Sequence, residues 1–239
     1  MKTICLLLLC GIPALAAPAS GSLFNVSGSS LSAPMQVILL LTALTVMPAV
    51  VMSVTPFLHI VIVLHFLRQA LGTQSTPSNQ VLIGLSLFLT ILIMQPIAMD
   101  IYQHAWQPVD EGTLTMQQGL DAGAKPLRTF LIRFAREKDV RLFLEISHIP
   151  PPRTPADLGL NVLIPAYIIS ELKAGFQIGA VLFLPFLIID VVVASVTLSI
   201  GMVQLPPVMI SAPFKILLFV LVDGWNLVIG SLMKSFYAA

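Results

Sequence analysis

The stretch IPAYIISELKAGFQIGAVLFLPFLIID, residues 164–190, decides the fold of this chain. It is apolar almost without interruption, and it is long enough for a helix to cross ~30 Å of hydrocarbon. Continuing outward, Ile164 to Met233 spans seventy residues with five charged side chains: Glu171, Lys173, Asp190, Lys215 and Asp223. The pattern predicts helix from about Ile164 to Ile200, a turn through Gly201 to Pro207, and a returning helix to about Phe236. An isolated ion in such surroundings costs about 2.5–3.5 kcal/mol even on the lenient insertion scale. Each of the five is therefore expected to face another helix, another subunit or a water-filled path. Ion pairs within the hairpin, pairs across subunit boundaries and a proton relay all satisfy that requirement. The relay fits least well, because the acids do not occupy adjacent helical positions.

Hydrophobic residues make up 57% of the 239 and charged residues 10%, with a mean hydropathy of +0.96, which places the chain in the membrane class. A net charge of +1 without a basic stripe excludes nucleic-acid binding, which needs cations to neutralise phosphates. Lys2, the apolar run Ile4 to Cys10 and Ala14-Leu15-Ala16 form the pattern of a signal peptide over residues 1–16. Residues 17–34 are small and serine-rich and predict a flexible mature N-terminus. Cys5 and Cys10 both fall in the signal, so the mature chain is expected to hold no disulfide, thiolate metal site or cysteine nucleophile.

Residues 35–99 predict a first apolar helical hairpin. As one helix, Met35 to Leu71 would extend ~55 Å, so a kink or break at Pro48 or Pro56 is expected, with Gly72 as the C-cap. Thr76-Pro77 offers a hydroxyl N-cap and a first-turn proline to the returning arm, Val81 to Met99. Residues 100–157 hold 15 of the 23 Asp, Glu, Lys and Arg residues, and therefore read as a charged helical segment that meets water. Within it, Thr115 to Gln118 has capping-box spacing, and Pro126 is expected to open a helix. That helix would turn Leu127, Phe130, Leu131 and Phe134 inward, with Arg128, Arg133, Arg136 and Lys138 opposite. The basic face reads as solvated, a lipid-headgroup or substrate contact being the rarer alternative. Residues 158–239 form the second apolar hairpin. The expected fold class is all-α and membrane-associated: two long kinked helical hairpins with a small charged helical segment between them.

No Walker A loop, H-E-x-x-H, G-x-S-x-G or Cys/His cluster occurs, so no enzyme, metal site or cofactor is expected. His59 and His65 stand on different helical faces and read as packing or backbone-bonded. The turn Met202-Val203-Gln204-Leu205 places apolar side chains on irregular backbone, which suits an ordinary hairpin turn or a seal over a cavity.

Four blocks are similar to one family: LRQALGTQSTPSNQ (67–80), IPAYIISELK (164–173), FLIID (186–190) and PFKILLFVLVDGW (213–225). They closely resemble the FliP family of flagellar type III secretion export-gate proteins, and Gly72 to Asn79 looks like the flagellar rather than the virulence branch. The resemblance implies a non-enzymatic, pore-forming subunit required for export of flagellar proteins and flagellum assembly. It implies about five copies assembling with FliQ and FliR into a helical, closed gate. Further implied partners are other export-apparatus membrane proteins and unfolded flagellar export substrates. The implied location is the bacterial inner membrane and flagellar basal body, with the gate above the membrane plane and the mature N-terminus exported. Glu171, Asp190 and Lys215 match family positions at inter-subunit or inter-helix ion pairs, and Met202, Val203, Gln204 and Leu205 match a methionine-rich pore gasket. Only Met202 is a methionine there, so Val203 and Leu205 are expected to share the sealing role. The rival reading is a polytopic secondary transporter using Asp190 and Glu171 as intramembrane carboxylates.

Overall fold

A computed structural model describes residues 32–73, 76–152, 154–201 and 206–237. The signal peptide, nearly all of the mature N-terminus, and the gasket candidates Met202, Val203, Gln204 and Leu205 lie outside the described residues. Two compact units are present, residues 1–46 and residues 47–239. Within the first begins helix α1 (Ala33–Ser53), apolar on every side and exposed along nearly its whole length, with Pro48 inside it.

The chain is all-α among the described residues, in keeping with its long apolar runs. Between α1 and α2 (Phe57–Ala70) the helix breaks at Val54 to Pro56, so of the two expected proline sites Pro56 interrupts the run and Pro48 is absorbed. Gly72 ends the arm in the left-handed region, φ +73°, which a side chain would resist. Helix α3 (Asn79–Ile101) starts three residues beyond Thr76, with Ser78 as N-cap. It passes through a π-helical turn at Tyr102–Trp106 into α4 (Gln107–Asp110), a continuous run of 32 residues.

The charged segment folds as α5 (Met116–Phe134) and α6 (Glu137–Ile146). Here one expectation is corrected: Pro126 lies inside α5 and does not open it. The start belongs to Thr115, whose side chain accepts from the Gln118 N–H while the Gln118 side chain accepts from the Thr115 N–H. That reciprocal pair satisfies two orphan donors and outcompetes the proline as a start signal. Gly119 and Gly123 let α5 lie against the π turn and α4, since a Cβ at Gly123 would stand 3.3 Å from Ala105 and one at Gly119 2.3 Å from Val109.

Helix α7 (Leu160–Ser199) is forty residues and about 60 Å long. The return is α8 (Pro207–Leu221) followed by α9 (Gly224–Tyr237), bent by 65° where Asp223 takes φ +51°. A single returning helix was expected; the chain instead turns at Val222 and Asp223. A Cβ at Gly224 would fall 2.2 Å from the Phe219 ring, so the close approach at the corner needs glycine.

One apolar core joins α2, α3, α7, α8 and α9 through Ile60, Leu64, Leu67, Leu89, Phe186 and Phe219. A second, around Leu131, Leu144, Leu163 and Tyr167, joins α5 and α6 to the start of α7. Much apolar surface still faces outward. Three helical runs, Pro34–Ser53, Asn79–Asp110 and Leu160–Ser199, are long and apolar enough to cross a membrane, and the α8–α9 pair makes a fourth if the bend is one broken span. Only 11% of the most apolar window in α7 is buried, so lipid or other protein must cover the rest.

Candidate functional site

Helix α7 carries two carboxylates in apolar surroundings, Glu171 buried and Asp190 partly exposed, each answered by a helix of the same chain. The first depends on small residues. Glu171, Gly175 and Gly179 recur every fourth position and face α2. A Cβ at Gly175 would meet Ile62 at 3.2 Å, and one at Gly179 would lie 2.6 Å from the Phe66 ring. This close approach brings His59 Nδ1 to 3.0 Å from Glu171 Oε2, with both residues under 5% exposed.

An ionised carboxylate can only accept, so with Glu171 charged the Nδ1 atom carries the hydrogen and donates it. Nε2 is buried and has no partner among the described residues. The Phe236 ring stands edge-on to the imidazole at 5.2 Å, and Phe236, Phe134, Phe130 and Tyr167 follow one another as an aromatic row back to α7. Next to Glu171, the Ser170 hydroxyl donates to Asp139 at 2.6 Å and accepts the Arg136 backbone N–H at 2.9 Å. The Arg136 guanidinium in turn reaches Asp139 at 2.6 Å. The charged segment is thus tied to the apolar helix one residue from the His59–Glu171 pair.

The second node closes the α7–α8 hairpin. Lys215 Nζ donates to Asp190 Oδ2 at 2.6 Å, and the Ser211 hydroxyl, one helical turn earlier, donates to Asp190 Oδ1. The lysine side chain is 2% exposed and the aspartate side chain 24%, so the pair is enclosed on the α8 side and open on the other. Phe186 and Phe219 pack above it with ring centroids 6.4 Å apart. Gly72 approaches from the end of α2: a Cβ there would stand 3.6 Å from Ala212 and 4.0 Å from the lysine nitrogen. The turn of the first hairpin therefore abuts the charged seam of the second.

Of the residues singled out from sequence, Asp190 and Lys215 come together and Glu171 goes elsewhere, to His59. Lys173 and Asp223 lie exposed. His59 was expected to pack or bond backbone; its partner is a side chain 112 residues away. Asp139 and Ser170 drew no attention in the sequence, because an aspartate in a polar segment and a serine in an apolar helix are both ordinary. The spacing of Gly175 and Gly179 one and two turns after Glu171 was the available signal, since it marks the face on which another helix comes close.

A model of the FliP family matches residues 40–232. A flagellar biosynthetic protein FliP of Pectobacterium carotovorum subsp. carotovorum is 48% identical over 211 residues, covering 88% of this chain and 82% of the relative. Its namesake from Bacillus subtilis (strain 168) is 48% identical over 207 residues, 87% of this chain and 94% of the relative. The Cereibacter sphaeroides protein of that name is 45% identical over 220 residues, 92% and 73% of the two chains.

Proposed function

The chain belongs to the FliP family, and from that premise we propose that it is a pore-forming subunit of the flagellar type III protein export gate, serving flagellum assembly. The observation that carries the reading is the extent of the match. It spans both hairpins, both buried nodes and the turn between α7 and α8. About five copies would surround one conduit together with FliQ and FliR in a helical, closed gate. The subunit sits in the bacterial inner membrane and flagellar basal body and passes unfolded flagellar substrates.

Two features suit this role. Long helices with little of their apolar surface buried within the chain need covering by neighbours or lipid, which such an assembly supplies. The two nodes close within the subunit, so the expected countercharges from sister chains are not needed to explain Glu171, Asp190 or Lys215. Their part is to hold α2 on α7 and α8 on α7, presenting a rigid edge to the next copy and fixing the ends of the 202–205 turn. That turn, with Met202, Val203 and Leu205 as its apolar members, would narrow the conduit as a gasket.

Two measurements test this. Coexpressed with FliQ and FliR homologues and extracted in mild detergent, the chain should elute as one complex with several copies; a monomer stable alone under those conditions would remove the assembly. Replacing Met202, Val203 and Leu205 together by glycine should let small ions leak through the assembled gate. Unchanged conductance with normal assembly would retire the gasket while leaving the subunit role standing.

A further inference from the structure

A groove of about 570 Å³ lies between the second half of α3 and α5, with Phe236 and Tyr237 at the end of α9 also lining it. Its floor is apolar, formed by Ile93, Pro96 and Ile97 of α3 together with Phe130 and Phe134 of α5. Its rim is cationic. Lys125 and Arg133 are eight residues apart on α5, two turns on one face, and both line the groove. Neither meets a carboxylate among the described residues. The Arg133 guanidinium lies over the Phe134 ring, 5.7 Å from its centroid, and its side chain is exposed. The one acid on the rim, Asp100, is turned to His104 Nδ1 at 2.7 Å.

The level of this rim along α3 is informative. The helix is apolar from Val81 to Met99, and Asp100 is its first charged residue. Just beyond stand Tyr102 and Trp106, 53% and 68% exposed, and the exposed Tyr237 is fixed at the mouth of the groove by its hydroxyl donating to the Leu92 carbonyl at 3.2 Å. Exposed tyrosine and tryptophan at the end of an apolar span mark the headgroup level of a bilayer. An apolar trough that ends in two free cations at that level matches an amphiphile with an anionic head.

We propose that this groove seats an anionic phospholipid, with its phosphate held between Lys125 and Arg133 and an acyl chain lying along Ile93, Pro96 and Ile97. A free phosphate would leave the apolar floor uncovered. An acidic peptide would gain from the rim but would need its own apolar residues to fill the trough.

The test uses the purified full chain, delipidated in detergent and titrated with dioleoylphosphatidylglycerol while retained lipid is counted by native mass spectrometry. Phosphatidylglycerol should be retained, dioleoylphosphatidylcholine should not compete, and millimolar inorganic phosphate should not displace it. Lys125→Gln with Arg133→Gln should weaken retention about thirtyfold, at ~1 kcal/mol for each headgroup contact. Lys125→Gln alone touches an exposed side chain and should account for a part of that loss without altering the fold. Arg133→Lys should keep most of the binding, and Lys138→Gln on α6 should change nothing. Equal retention of the two lipids, displacement by inorganic phosphate, or an unaffected double variant would each overturn the proposal. So would preferential binding of polyglutamate, which would make the groove a protein-docking surface.

Discussion

Glu171 and Asp190 lie on one helix, about 28 Å apart along its length at 1.5 Å per residue, and the chain accommodates them differently. Glu171 is sealed: its partner is an imidazole, the helices around it close over glycine, and an aromatic ring covers the pair. Asp190 is open on one side and its partner is the Lys215 ammonium at 2.6 Å, with a serine hydroxyl on the second oxygen. The comparison separates two means of keeping an acid in an apolar helix. A partner that can be neutral serves where water is shut out, because the node then need not hold two full charges. A fixed cation serves where the carboxylate still reaches the surface and the desolvation cost is smaller.

The largest effect should follow from removing the fixed cation. Lys215→Met leaves Asp190 without its countercharge at the α7–α8 seam and should lower stability by about 3–5 kcal/mol. It would be read as loss of thermal stability in detergent and of assembled complex in the membrane. Adding Asp190→Asn should recover most of the loss, since a neutral amide beside an apolar side chain strands no ion. Asp190→Lys with Lys215→Asp should rescue in part, whereas exchanging Glu171 with Lys215 should not, because each already has its own partner. A fully stable Lys215→Met chain would mean that water through the open side supports Asp190 and that the two nodes differ less than their geometry indicates.

Next in size is the glycine seam that makes the first node possible. Gly179→Ala drives a methyl to within 2.6–2.9 Å of Phe66, an overpacking worth about 1–3 kcal/mol. Phe66→Leu should relieve it. Gly175→Ala meets Ile62 at 3.2 Å and should cost less, since that side chain can shift by a few tenths of an ångström. If both substitutions are neutral by thermal denaturation in detergent, helix approach does not set the His59–Glu171 distance.

The sequence made some of this legible and hid the rest for definite reasons. Charges stranded in apolar helices singled out five residues, because the cost of an unpaired ion does not depend on knowing the partner; Glu171, Asp190 and Lys215 have partners within the chain, whereas Lys173 and Asp223 lie exposed. The partners themselves were hidden: Lys215 meets Asp190 across a turn whose register no local pattern fixes, and Glu171 meets His59 from a different hairpin. The all-α class followed from long apolar runs, and the Thr115 capping box from spacing alone. Pro126 misled because proline favours the first turn of helices, yet a complete upstream cap decides the start. The bend at Asp223 was signalled by the Asp223-Gly224 dipeptide, since aspartate tolerates the left-handed region, but the apolar run on either side masked it; the need for glycine itself arises from Phe219 lying across the corner.

A pair of neutralising substitutions sharpens the contrast between the nodes. Glu171→Gln keeps an oxygen and an amide within reach of His59 Nδ1, so either tautomer retains a hydrogen bond, and stability should fall by no more than about 1 kcal/mol. Glu171→Ala leaves Nδ1 as bare as Nε2 already is and should cost about 1–3 kcal/mol. The same step at the other node, Asp190→Asn alone, should cost more than Glu171→Gln, because it strands a buried ammonium. Equal losses for the two amides, measured side by side in detergent, would show that Glu171 needs its charge as much as Asp190 does.

The smallest effect isolates the hydroxyl. Ser211 is fully buried and donates to the Asp190 oxygen that Lys215 does not take, so Ser211→Ala removes one bond to a charged acceptor while leaving the ion pair in place. The bare oxygen lies on the carboxylate's partly exposed side chain, where water can replace the lost donor. The loss should therefore stay near ~1 kcal/mol, toward the lower end of what a charge-assisted bond contributes. Comparing Ser211→Ala in the wild-type and Asp190→Asn backgrounds decides the matter. If the hydroxyl acts through the carboxylate, its removal costs less once the charge is gone; identical losses would assign Ser211 to packing against α7 and leave Lys215 as the sole answer to Asp190.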